Sequence, residues 1–189
     1  SAISFLKEKK ITVVCFLGGE IINEKFIKSF KFCFNFHSGI SPFYNGNKTN
    51  FHACVNYRPN FVGGTLMKMN SRIDGGDILM HFLPEIKRSD HAEDLFVKTI
   101  IGAVDLYNLL LNEIEKTEII NGVVQNRTFH FYRNIDWVIN HDFRLNSFET
   151  NKIIKSYRRK SILINYLNKE LKISDLYKAV LEHILNKND

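Results

Sequence analysis

The spacing of apolar positions predicts the elements in order. Residues 11–17 (Ile-Thr-Val-Val-Cys-Phe-Leu) make a short β-branched run closed by Gly18 and Gly19, the pattern of a buried strand ending in a tight loop. Residues 24–30 have room for one or two helical turns, and residues 31–37 (Lys-Phe-Cys-Phe-Asn-Phe-His) then alternate with the strand period. Strand, short helix, strand predicts a parallel βαβ unit. After Pro42 a polar stretch over 45–50 reads as loop, followed by a short helix over 53–57. Two further strands are expected at 65–69 and 78–83, separated by the turn-forming Asp74-Gly75-Gly76-Asp77 and antiparallel or nearly so.

From 91 to 116, Leu95, Ile100, Val104, Leu106, Leu110 and Ile114 fall on three- and four-residue steps, which predicts a long amphipathic helix. Asp90, Glu93 and Asp94 stand at its start, where the helix dipole favours carboxylates. One or two strands fit between 121 and 133. Helices are expected over 151–170 and 174–186, the second with Ser174 as N-cap. The shift from mixed to helical and basic near 145–150 predicts a division into residues 1–145 and 146–189. No repeat of 20–50 residues and no low-complexity linker interrupts this plan.

Composition narrows the classes. The chain has 189 residues, 44% hydrophobic and 24% charged, a globular balance that excludes a disordered, collagenous or disulfide-stapled chain. No apolar run reaches the roughly 18 residues of a membrane span, and the opening Ser1-Ala2-Ile3-Ser4-Phe5-Leu6-Lys7 lacks a signal-peptide pattern, so a cytoplasmic protein without a membrane partner is expected. Cys15, Cys33 and Cys54 are an odd set without CxxC spacing and read as free thiols. The net charge of +6 is uneven: residues 1–150 hold 17 Lys+Arg against 16 Asp+Glu, and 151–189 hold 9 against 4. The densest basic part, Lys152, Lys155, Arg158, Arg159 and Lys160, reads first as a solvated helix face and second as a meeting point for phosphate or an acidic partner.

Candidate chemistry gathers between residues 35 and 77. Asn35 and His37 are two apart on a predicted strand, so both project from one face and converge on one small volume. Asn can donate to a developing oxyanion, His can carry a proton near neutral pH, and an Asp brought alongside, as from the Asp74-Gly75-Gly76-Asp77 turn, can orient that His. Taken alone, an Asn-x-His on an aromatic strand is more often a pair satisfied by neighbouring backbone. The pairs Gly18-Gly19, Gly63-Gly64 and Gly75-Gly76 fit no nucleotide-loop pattern and read as turn glycines. His52, His81, His91, His130, His141 and His183 show no metal-ligand spacing, so no metal site is expected. The tract 129–133 (Phe-His-Phe-Tyr-Arg) reads as a core strand before it reads as a base-stacking platform.

Several motifs in order resemble the folate-dependent formyltransferases, which take a formyl group from N10-formyltetrahydrofolate and include glycinamide ribonucleotide, methionyl-tRNA and sugar-nucleotide amine formyltransferases. Residues 11–17 with Gly18-Gly19-Glu20-Ile21-Ile22 resemble the family's strand and pterin-side loop. Asn35-Phe36-His37 resembles its Asn-x-His, and Ser41-Pro42-Phe43-Tyr44-Asn45-Gly46 its "LPxYxG" segment. Gly64-Thr65-Leu66-Met67-Lys68-Met69 resembles the "GxTxHxM" strand, and Ile73-Asp74-Gly75-Gly76-Asp77-Ile78-Leu79 the turn bearing the family's aspartate. Ser38 stands where the family has Pro, and Lys68 is matched to the strand's histidine.

The resemblance implies an α/β fold: a partial, Rossmann-like formyltransferase core over 1–145 with a helical C-terminal appendage over 146–189. It implies Asn35 as holder of the formyl oxygen, His37 as electrostatic or proton-relay partner, and Asp74 as the group that positions His37 or an ordered water. Phe16, Leu17, Gly18, Gly19, Met69 and Ile73 would line the pterin pocket of the donor, N10-formyltetrahydrofolate. With 34 residues before Asn35, the chain reads as incomplete on the acceptor side. The transfer-RNA enzymes resemble one another in a β-rich C-terminal domain, unlike the tail expected here, while Gly76-Asp77-Ile78-Leu79 looks like the sugar-nucleotide branch. A nucleotide-linked amino sugar is therefore the expected acceptor. A methionyl-tRNA formyltransferase-like enzyme, a non-catalytic folate-binding relative and a nucleic-acid module using the basic tail with Tyr157 and Tyr166 are the alternatives, and a homodimer is left open.

Overall fold

Alternation along the most aromatic strand decides the layers, because Phe32, Phe34 and Phe36 fall on one face and Cys33, Asn35 and His37 on the other. A computed structural model describes residues 2–19 and 21–185. In chain order the elements are α1 (Ala2–Glu8), β1 (Val13–Leu17), α2 (Glu24–Ile27), β2 (Phe32–His37), β3 (Tyr44–Gly46), α3 (Thr49–Val55), β4 (Gly64–Lys68), β5 (Ile78–Leu83), α4 (Ala92–Ile114), β6 (His130–Tyr132), α5 (Ile139–Leu145), α6 (Phe148–Ile154), β7 (Ile162–Asn165) and α7 (Ile173–Leu185). One sheet has the order β1-β2-β4-β5-β7, and β3 pairs with β6 in a second, two-stranded sheet. The expected βαβ unit forms, with β1 parallel to β2 and Phe16 in register with Asn35. β2 to β4, β4 to β5 and β5 to β7 are antiparallel.

The three phenylalanines of β2 and Leu66 pack under α4 through Ala103, Leu106 and Leu110. Each such side chain, fully buried, contributes about 1.5–3 kcal/mol by area alone. Phe34 has no exposed surface, and its truncation to Ala would cost about 3–5 kcal/mol. On the opposite face α7 places Leu176, Val180 and Ile184 against Ile40, Ile78, Leu83 and Tyr166. On the β1–β2 part of that face Cys33 is buried and Asn35 is only half-buried. Long α4 starts where its signals are: the His91 backbone N–H donates to Asp94 Oδ2 at 2.8 Å, closing the first turn.

The tail departs from expectation. Residues 151–170 do not form one helix: α6 ends at Ile154, and β7 adds to the sheet beside β5. Ile162 and Ile164 alternate with Leu163 and Asn165, and the open edge of β5 supplies the partner, so strand pairing overrides a weak helical pattern. Residues on both sides of 145 thus contribute to one sheet. Helix α7 begins at Ile173, which puts Ser174 inside its first turn and not at the cap; Asn186, the expected last residue, lies outside the described residues. The basic cluster is not one solvated face either. Arg159 turns inward and donates to the carbonyls of Asn60 (2.6 Å), Val62 (2.9 Å) and Pro84 (3.1 Å), and burial pushes its guanidinium down to about 9.

The short helix expected over 53–57 lies earlier, at Thr49–Val55. Its His52 is buried and stacks on Tyr132 with ring centres 3.8 Å apart, and desolvation pushes this imidazole down to about 4. The tract 129–133 supplies β6, whose neighbour Phe129 stacks on Phe43 at 5.3 Å. Only Gly18, Gly19 and Gly46 take positive φ among the described glycines. Gly64 is instead required by close approach, since a Cβ there would enter the Phe36 ring. Among the described residues no helix is long and apolar enough to cross a membrane.

Candidate active site

Strand β2 delivers Asn35 and His37 to one face, as its period demands. His37 is nearly enclosed. Its Nε2 lies 3.0 Å from the Tyr44 carbonyl, which only accepts, so this nitrogen is assigned the proton. That leaves Nδ1 facing Asp74 Oδ2 at 3.4 Å, longer than a charge-assisted hydrogen bond. A proton at Nδ1 would therefore sit between an imidazole and a carboxylate with room to move.

The aspartate is held from several sides. Asp74 Oδ2 accepts from the Gly46 N–H at 2.9 Å. The Asp74 carbonyl accepts from Asn45 Nδ2 at 2.9 Å and from Gln125 Nε2 at 3.0 Å. Asp74 itself is left-handed, with φ 48°. Gly46, at φ 97°, brings β3 so close to β6 that a Cβ would run into the Tyr132 carbonyl. At Gly39 a Cβ would meet His37 Nε2, the Tyr44 carbonyl and the Thr49 hydroxyl, so the loop leaving β2 passes flush against the imidazole.

Across the sheet, His37, Thr65 and His81 stand in one register row. The Thr65 hydroxyl donates to the Gly39 carbonyl at 2.5 Å and accepts from the Ser41 N–H at 2.9 Å, bracing the loop that follows His37. Behind it, His81 contacts the Ser41 carbonyl through Nε2 at 2.8 Å and the Tyr166 hydroxyl through Nδ1 at 3.1 Å. Complete burial pushes His81 down to about 3, so it is neutral at pH 7, with Nε2–H donating and Nδ1 accepting.

Asn35 differs. Its carboxamide has no hydrogen-bond partner among the described residues, and it stands in register with Phe16 on one side and Met67 on the other. Lys68, which the motif match put in the place of a histidine, is in register with Phe34 on the opposite face, its Nζ 3.5 Å from the Ile120 carbonyl. The period of two is what moves it: the neighbour of Asn35 is Met67.

The expected pterin-side residues differ in how they are held. Phe16 is half-buried, sits edge-on to Phe26 at 5.9 Å and is tied by its carbonyl to the Tyr107 hydroxyl. Leu17 is 53% and Ile73 49% exposed, and Gly18 and Gly19 border open space. Glu20 of the same loop lies outside the described residues. Met69 bonds back to Cys33 through its N–H at 2.8 Å, three register positions below Phe36, the partner of Leu17. Sequence reasoning missed Asn45 and Gln125, polar residues in loop-like stretches with no spacing signal, and the Tyr44 carbonyl, which no side-chain pattern encodes.

A free carboxamide donor beside an imidazole–carboxylate pair at the end of a sheet strand is equipment for acyl transfer: one group meets developing negative charge and the others hold or move a proton. The formyl transferase family profile matches residues 3–103, and the chain belongs to this family. It is 29% identical over 154 residues to methionyl-tRNA formyltransferase of Borrelia duttonii, a match covering 77% of this chain and 47% of that protein. The chain thus spans about half the length of the curated relatives it matches. Among solved structures it is similar to a 4-N formyltransferase from Francisella tularensis, with a TM-score of 0.60, 19% identity, and coverage of 82% of this chain and 64% of the other. It is also similar to an N-formyltransferase from Helicobacter canadensis solved with folinic acid and dTDP-3-aminofucose, with a TM-score of 0.54, 22% identity, and coverage of 73% and 52%.

Proposed function

We propose that this chain carries the catalytic centre of a cytoplasmic enzyme that moves a formyl group from N10-formyltetrahydrofolate to the amino group of a nucleotide-linked sugar. The observation that carries the reading is that the Asn35 carboxamide, without a hydrogen-bond partner among the described residues, shares a strand face with His37, whose Nδ1 faces Asp74, inside the segment that the family profile covers. The residues present suit such a donor: half-buried Asn35 offers N–H groups that have no partner among the described residues, and Phe16 beside it offers an aromatic surface. When bound, the donor supplies the formyl carbon that an amine attacks. Asn35 donates to the formyl oxygen as negative charge grows there. His37, whose Nε2–H is pinned by the Tyr44 carbonyl, takes at Nδ1 the proton that the attacking amine releases, Asp74 orients it there, and that proton goes to N10 as the bond from N10 to the formyl carbon breaks. Phe16, Leu17, Gly18, Gly19, Met69 and Ile73 are proposed to contact the pterin, the open loop at 17–19 ordering on it.

A nucleotide-linked acceptor is supported by the likeness to a structure holding dTDP-3-aminofucose. A second reading, formylation of methionyl-tRNA, is supported by the match to the Borrelia duttonii protein. Formyl transfer assayed against dTDP- and UDP-linked amino sugars and against methionyl-tRNA separates the two. Turnover of an amino-sugar nucleotide that His37→Ala abolishes is expected; turnover of methionyl-tRNA alone would replace the acceptor, and undiminished transfer by His37→Ala would displace the site.

A further inference from the structure

The turn that carries Asp74 is held from outside the sheet. Gln125, 2% exposed, lies between α4 and β6, and its Nε2 donates to the carbonyls of Asp74 at 3.0 Å and Gly76 at 2.5 Å. The Gln125 carbonyl accepts from Arg72 Nη2 at 3.1 Å, and the same Nη2 donates to the Gly75 carbonyl at 2.8 Å. Residues 72 to 76 are thus clamped to a segment some fifty positions away. The clamp matters because Asp74 is a non-glycine residue in the left-handed region, a conformation that persists only where the surroundings impose it.

The amide oxygen of Gln125 is buried without a partner among the described residues. An unpaired buried acceptor is unfavourable, and an apolar side chain of the same shape would serve packing better. What the position retains is its pair of donors. We propose that Gln125 is a positioning residue for Asp74: by holding the carbonyls of residues 74 and 76 it sets the turn so that the Asp74 carboxylate faces His37 Nδ1. Its kinetic consequence rests on the formyl-transfer reading; its structural consequence does not.

Gln125→Met tests this, since Met keeps the length and shape and removes both donors together with the unpaired oxygen. The expected result is a modestly lower melting temperature, since the Gly76 carbonyl loses its donor, a kcat for formyl transfer reduced about 10²-fold, as misplacement by an ångström can cause, and a KM for the donor little changed. In an Asp74→Asn background the same substitution should cause no further loss, because the group it positions is already gone. The imidazole nitrogen signals of His37 in NMR spectra should move in Gln125→Met towards those of Asp74→Asn, with or without turnover. Gln125→Asn, a methylene too short to reach both carbonyls, should move them the same way and serves if the Met variant does not fold. Wild-type His37 signals in these variants, or equal losses of activity with and without Asp74, would overturn the proposal. A chain that transfers no formyl group would overturn the functional reading while leaving the His37 signals to decide on Gln125.

Discussion

Two places at the same edge of the sheet are built in opposite ways. At the end of β2, His37 is fixed through one nitrogen by the Tyr44 carbonyl and faced at the other by an aspartate whose oxygens take bonds from Gly46, Asn45 and Gln125. At the end of β1, Leu17 is half-exposed and Gly18 and Gly19 border open space. The groups assigned to proton handling therefore pay their ordering entropy on folding, whereas the loop assigned to the pterin orders only when something lies against it. Asn35 stands between the two: it is fixed by the strand, yet its donors are unspent.

The largest effects should come from the pre-built side. Asn35→Ala is expected to lower kcat by about 10²–10³-fold, or roughly 3–4 kcal/mol of transition-state stabilisation, while leaving the melting temperature nearly unchanged, since the side chain has no hydrogen-bond partner to lose among the described residues. Steady-state kinetics beside calorimetry of unfolding checks both halves. Next, Gly46→Ala forces a Cβ into the Tyr132 backbone at positive φ and should cost about 2 kcal/mol or more of stability, read in a denaturant titration, and should displace the N–H that Asp74 uses.

The buried frame also predicts a pH effect. His81 and His52 have folded-state values lowered to about 3 and about 4, against 6.5 when unfolded, so the unfolded chain takes up their protons first as pH falls. Their stabilising contribution is whole above about pH 6.5 and is lost on the way down to about 4 for His52 and about 3 for His81, by up to roughly 1.4 kcal/mol per pH unit for each histidine. Unfolding free energies from pH 7 to 4.5 should fall accordingly, and His52→Phe should flatten the slope. The smallest effect belongs to the open side: Gly18→Ala keeps positive φ but meets no neighbour, so it should cost only about 1 kcal/mol of stability.

Much of this comparison was legible in the residues. The alternating run through Phe32, Phe34 and Phe36 and the three- and four-residue steps of α4 dictate their elements locally, and the order of motifs points to Asn35, His37 and Asp74. Strand β7 was hidden because four residues of alternation, Ile162 to Asn165, carry little signal until β5 offers an edge. Arg159 looked like one more surface charge, because only the fold brings the carbonyls of Asn60, Val62 and Pro84 to it. Gln125 and Asn45 were silent for the same reason: a carboxamide in a polar stretch has no pattern, and their bonds to Asp74 close 51 and 29 positions of chain.

The central claim is that a formyl-folate donor meets this chain at Asn35, His37 and Asp74. Calorimetric titration with 5-formyltetrahydrofolate, run on the wild type and on Asp74→Ala, tests it most directly. Micromolar binding that the substitution weakens is the predicted result; no binding, or binding of equal strength in both proteins, would contradict it.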